Sequence, residues 1–163
     1  SGRGDNAIDE VLDGARAALE TFYHAFNGRG LDLMAAIWSD DPLVQLDNPL
    51  GGIVRGRDAI VQLYRRIFES PARVRVEFHD FVEYAPNAIA DGAMVIFAGR
   101  ERGGYESNDV KIELSIRTTR IFTYARAQGG WRQLHHHGSI DDARQLARYQ
   151  DAVRGHEAGQ RSW

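Results

Sequence analysis

Between about residue 5 and residue 27, apolar side chains return every three or four positions: Ile8, Val11, Leu12, Ala15, Ala18, Leu19, Phe22, Tyr23 and Phe26. This period lays a single apolar stripe along a helix, and Gly28 is its natural stop. A shorter helix is predicted from about Asp32 to Trp38, with Asp32 capping its free N–H groups and Met34, Ile37 and Trp38 on the buried side. LVQLD then reads as a short strand ended by the turn DNPLGG, and the glycines of GIVRGRDAI turn the chain again. A third helix is predicted to start near Asp58, to carry Ile60, Leu63, Tyr64, Ile67 and Phe68 inward, and to stop at Ser70-Pro71.

From there the period falls from about four to about two. Val74, Val76, Phe78, Val82 and Tyr84 alternate with Arg75, Glu77, His79 and Glu83, and Met94, Val95, Ile96 and Phe97 form a more continuous apolar run. Ile112, Leu114 and Ile116 alternate with Lys111, Glu113 and Ser115 in a strand expected from Asn108 to Tyr124. These are strands of an antiparallel sheet. A last strand is expected from Trp131 to about His137, after a turn at residues 127–130. Ser139 is expected to cap a final helix, with Asp142 at its third position and Ile140, Ala143, Leu146 and Val153 packing. Helices first and strands after predict an α+β domain with its helices gathered on one face of a strongly curved sheet. Residues 1–163 read as one domain with a core of about 8–153, without repeat, linker or low-complexity tract.

The closing strand, WRQLHHHGS, carries three histidines in a row. Successive strand side chains face opposite sides, so His135 and His137 form a pair and His136 points the other way. If Tyr124 pairs with Trp131 in a hairpin, Phe122 lies opposite Gln133, Arg120 opposite His135 and Thr118 opposite His137. The face that holds Ile112, Leu114, Ile116, Phe122, Tyr124 and Trp131 must be inward. Thr118, Arg120, Gln133, His135 and His137 are then polar groups on a buried face, which costs several kcal/mol unless they are paired or look into a cavity. A concave pocket explains them. His136 is expected on the outer face with Arg117, Thr119 and Arg132, open to water or to a partner subunit.

Composition narrows the function classes. The chain has 163 residues and no cysteine, which removes disulfides, thiolate nucleophiles and zinc sites of the Cys type. Its 20 basic residues are scattered among 23 acidic ones, for a net charge of −3, so neither nucleic acid nor an anionic membrane is an expected partner. No run of about 18 apolar residues is present, SGRGDNAIDE does not read as a signal peptide, and a cytoplasmic setting is expected. Lys111 is the single lysine, a usage that suggests a bacterial source. Gly51, Gly52 and Gly56 make neither a dinucleotide fingerprint nor a phosphate loop, and no nucleophile elbow occurs.

TTRIF followed by GGWRQLHHHGS, with DNPLGGIVRGRDAI upstream and ALETFYHAFN in the first helix, resembles the nuclear transport factor 2-like superfamily and, more narrowly, SnoaL-like proteins. The strand pair is also similar to the association domain of calcium/calmodulin-dependent protein kinase II, whose closing strand carries Trp and then His-x-His-x-Ser. The resemblance spans roughly residues 8 to 153. It implies a cone of three helices against a bent sheet, open at one end, and a homodimer formed through the outer sheet face. It also implies a range of activities, from isomerases, cyclases and dehydratases to binding and assembly modules. In the enzymes an acidic residue near the cavity acts as base. Asp47 stands where the short strand could deliver one, and Asp47-Asn48-Pro49 also fits a plain turn.

The candidate catalytic residues are therefore His135, His137 and Asp47, moving protons. Arg120, Gln133, Thr118, Trp38, Tyr23 and Tyr64 are the candidate ligand-binding residues, with Arg120 holding an enolate, carboxylate or other oxyanion. A single imidazole lining the cavity while its neighbour is a satisfied core residue is the competing reading. Zinc or iron on the pair would need a third ligand from Asp47, Asp80 or another histidine, and no metal or cofactor is expected. The expected partner is a small, partly apolar, anionic or carbonyl-bearing molecule. Expected chemistry is of the isomerase, cyclase or hydratase kind; the alternative is a non-catalytic oligomerisation or ligand-sensing module.

Overall fold

The computed structural model describes residues 2–160, with side chains described for 11–155. The apolar stripe of the first segment forms helix α1 (Gly2–Asn27), which buries Val11, Ala15, Leu19 and Phe22 against the sheet. Two further helices, α2 (Leu31–Ile37) and α3 (Arg57–Glu69), complete the helical layer. Between them lies a hairpin of β1 (Gln45–Asp47) and β2 (Ile53–Arg55); β2 falls in a segment whose glycines read as turn alone. The turn joining the two is DNPLGG, and Gly51 and Gly52 supply its left-handed backbone, with φ of 110° and 88°.

Three long strands follow, β3 (Arg73–Tyr84), β4 (Met94–Ser107) and β5 (Val110–Ala125), then β6 (Gly130–Ser139) and α4 (Ala143–Gln160). The sheet has six strands in the order β2-β1-β6-β5-β4-β3. It is antiparallel throughout except where β1 runs parallel to β6. The expected α+β cone is thus present, as a mixed rather than purely antiparallel sheet. Ser139 does not cap α4, because it is the last residue of β6; Asp142 does, accepting the Gln145 N–H at 2.8 Å. α1 is tied to β3 by the Asn27 amide, which donates to the Val76 carbonyl at 2.8 Å and accepts the Val76 N–H at 3.0 Å.

Two close approaches bend the sheet around one point. β3 carries a bulge between His79 and Val82, and a side chain on the facing Gly99 would lie 2.6 Å from the Phe81 Cα. Two turns of the pleat further on, a Cβ on Gly103 would sit 1.8 Å from the Arg75 carbonyl oxygen. Between these two glycines, with the pleat parity of the buried Val95, Phe97 and Tyr105, stands Glu101. The apolar core divides in two: one cluster packs α1 to α3 on the sheet, and a second gathers Tyr105, Ile112, Leu114 and Ile116 under Tyr149 of α4.

Replacing Gly103 by Ala is expected to destabilise the fold by about 3 kcal/mol, because backbone rather than a flexible side chain must move. Urea unfolding followed by circular dichroism measures it, and an unchanged midpoint would refute the close approach.

Candidate functional site

β6 begins in the expected register, with Tyr124 opposite Trp131 and Phe122 opposite Gln133. One step later the pairing slips: Ile121 lies opposite His135, and Leu134 is left without a partner in β5. This one-residue bulge resets the pleat, so the buried parity passes from Trp131 and Gln133 to His136 and Gly138. Arg120 therefore faces His136, and Thr118 faces Gly138, in place of His135 and His137. The expectation for the triplet is reversed. His136 is the histidine inside, and His135 and His137 stand on the outer face.

The outer pair nevertheless meets Asp47. Parallel pairing of β1 with β6 sets Asp47 beside His137, whose Nδ1 lies 2.8 Å from its Oδ2, and the His135 Nε2 is 3.8 Å from the same oxygen. Gln45 donates to the other carboxylate oxygen at 2.8 Å. Partial burial alone would raise the Asp47 pKa, but the hydrogen bonds from His137 and Gln45 and the two imidazoles outweigh it and hold the carboxyl below its ordinary range. The three candidate catalytic residues are thus brought together, but away from the cavity, with the His137 side chain 53% exposed. Among the described residues no group of three or more His, Asp or Glu is placed to hold a metal ion.

Inside, Arg120 is the hub. Its side chain is 2% exposed, and its guanidinium carbon stacks 3.8 Å from the centre of the Phe22 ring. Nε donates to the Tyr23 hydroxyl at 2.9 Å, Nη1 to the Gln133 Oε1 at 2.9 Å, and Nη2 to the Glu101 carboxylate at 3.4 and 3.5 Å. The Thr118 hydroxyl donates to Glu101 at 2.5 Å. Burial pushes the Tyr23 and Tyr64 phenols far above their ordinary value, so both remain neutral donors.

His136 completes the cluster differently. Its Nε2 lies 3.8 Å from Glu101, beyond hydrogen-bond reach, and among the described residues neither ring nitrogen has a hydrogen-bond partner although both are buried. Burial first, and then the Arg120 charge, push its pKa well below the ordinary 6.5, so the ring is a neutral imidazole carrying one donor and one acceptor. It faces a cavity of about 710 Å³ that separates the two core clusters and is lined by members of both. Glu101, Arg120 and Tyr64 share the lining; Trp38 and Gln133, each 0% exposed, and Thr118 stand behind it as support. The volume suits a small organic molecule.

Two residues of the cavity, Glu101 and His136, escaped sequence reasoning as site residues. Glu101 has the parity of Val95 and Phe97, and that spacing is the signal that could have found it; Gly99 and Gly103 interrupt the apolar pattern on either side. Nothing in WRQLHHHGS marks Leu134 as the bulged position.

A cone of helices on a bent, six-stranded sheet, hollow at its centre, is the nuclear transport factor 2-like or cystatin-like fold, and solved structures agree. A candidate calcium/calmodulin-dependent protein kinase type II association domain from Thiobacillus denitrificans is similar at 29% identity, over 78% of this chain and 94% of that one, with a TM-score of 0.61. A cystatin-like protein from Caulobacter vibrioides aligns at 21% identity, over 89% and 99%, with a TM-score of 0.64. A ketosteroid isomerase-like protein from Erwinia carotovora atroseptica aligns at 22% identity, over 82% and 98%, with a TM-score of 0.63. The SnoaL-like domain model matches residues 15–143, and the chain belongs to that family. Among curated proteins none matches the chain. Among the described residues no helix is long and apolar enough to cross a membrane.

Because the unfolded chain protonates His136 near 6.5 while the folded chain keeps it neutral, its contribution to stability is complete above that pH. As pH falls below 6.5, stability is expected to drop by up to about 1.4 kcal/mol per pH unit for this proton. Titration by NMR is expected to show the His136 ring neutral well below 6.5, and a ring that titrates at its ordinary value would contradict this environment.

Proposed function

We propose that the cone binds a small, partly apolar, carbonyl-bearing molecule and moves protons on it without a cofactor, in chemistry of the isomerase, cyclase or hydratase kind. The observation that carries this reading is the buried, neutral His136, with both ring nitrogens unpaired, beside the Glu101 carboxylate at the base of a cavity. A buried polar group without a partner costs free energy, and a ligand that supplies the partner recovers it. The His136 N–H is a donor for a carbonyl oxygen. Glu101 is the base for a proton on the adjacent carbon.

The step balances within the site. Glu101 takes the proton, the C–H electron pair moves into an enolate, and the His136 N–H holds the oxygen on which the charge settles. Return of the proton to a different carbon completes an isomerisation. Arg120 serves as the fixed cation beside Glu101 rather than as a clamp for ligand, since each of its three nitrogens already donates, to Tyr23, Gln133 and Glu101. A carboxylate at the base of the cavity would meet Glu101, so carbonyl suits this end better than an anion.

Deuterium uptake next to the ketone of 2-tetralone, followed by proton NMR, tests the reading. The protein is expected to accelerate uptake over buffer. Glu101→Gln is expected to slow it by about 100-fold or more, His136→Phe to slow it, and the outer-face Asp47→Asn to leave it unchanged. Uptake no faster than in buffer, or unaltered by Glu101→Gln in a folded variant, would refute the catalytic role. Binding of the ketone without exchange would mark the cone as a sensing module instead.

A further inference from the structure

The cavity has a second polar end. Arg66 of α3 and Arg154 of α4 line it and are exposed, so they stand where it opens to solvent. Neither guanidinium has a hydrogen-bond or ion-pair partner among the described residues. Glu69, the other acidic residue of the lining, is paired along its own helix with Arg65, at 3.8 Å. Most of the remaining lining is apolar and includes Phe26, Leu63, Ile67, Tyr105 and Ile116. The lining thus sets three arginines against two glutamates in a chain whose net charge is −3.

We infer that the ligand is an amphipathic keto acid, with a carbonyl at one end held at the base of the cone, an apolar body, and a carboxylate at the other end held by Arg66 and Arg154. Only the mouth can take the anion. Arg120 at the base is neutralised by Glu101 and its donors are engaged, whereas each mouth guanidinium offers two parallel donors to a carboxylate. Unpaired cations at a cavity entrance also raise the local concentration of anions, an effect that salt screens. The carboxylate assignment rests on the carbonyl-binding reading above and adds to it which groups choose among ketones.

Calorimetric titration with an acetyl-biphenyl carboxylate, whose ketone and carboxylate stand at opposite ends of a rigid apolar body, and with its methyl ester tests this. At low ionic strength the protein is expected to bind the acid about tenfold more tightly than the ester, with the preference shrinking as salt is added. The double variant Arg66→Gln/Arg154→Gln is expected to bind the ester unchanged and to lose the preference for the acid. Both positions are exposed, so the variant is expected to fold. An ester bound as tightly as the acid, or a preference that survives the double substitution, would overturn the carboxylate site and leave the carbonyl reading standing. Failure of both compounds to bind would overturn both.

Discussion

Leu134 has no partner across the sheet, and the orientation of every side chain that follows it in β6 depends on that. A strand side chain can face only one of two sides, and one extra residue exchanges them for the rest of the strand. Before the bulge, Trp131 and Gln133 are buried; after it, His136 enters the cone and His135 and His137 leave it. The bulge coincides with a change of neighbour. Gln133 is bridged to Trp38, and its carbonyl accepts the Ser39 N–H, whereas from His135 onward β6 lies beside β1. The same shift that brings His136 to Glu101 therefore brings His137 to Asp47 on the opposite face.

A second constraint is the buried charge. Arg120 is withdrawn from water at the centre of the fold, and such a cation persists only with a counter-charge and satisfied donors. Glu101, Gln133, Tyr23 and the Phe22 ring supply these from three different elements. The arrangement has little to recommend it for stability alone, since apolar side chains of similar volume do as well in most cores. It makes sense as the floor of a site. Among the described residues, buried side-chain nitrogens of Trp38, Arg132, Gln133 and His136 lack a hydrogen-bond partner, and of these four residues only His136 lines the hollow between the two apolar clusters.

The sequence carried the fold far better than the site. Helices α1 and α3 were legible because their apolar stripes run for several turns, and the long strands because their alternation is regular. The family resemblance lay in motifs of the same elements, and the matching domain model covers residues 15–143. β2 was missed because three residues among glycines leave no period to read. Of the site, Arg120, Thr118 and Gln133 were placed inside by parity alone, and Tyr23 and Tyr64 meet Arg120 there. The histidines were assigned to the wrong faces because a bulge is set by which strand lies alongside, a tertiary fact. Asp47 meets His135 and His137 on the solvent side of the sheet, away from the cavity for which the sequence suggested them. Glu101 was hidden by its glycines, whose absent side chains let β3 pass close while erasing the apolar alternation around it.

Covalent labelling of the three adjacent imidazoles separates the two possible faces directly. With diethyl pyrocarbonate near neutral pH and peptide mapping by mass spectrometry, His137 is expected to react readily, since its Nε2 is left free by the bond from Nδ1 to Asp47 and its side chain is 53% exposed. His136 is expected to resist until the protein unfolds. Rapid modification of His136 with His135 and His137 protected would mean that β6 continues without a bulge at Leu134, and that the cone holds a different set of groups.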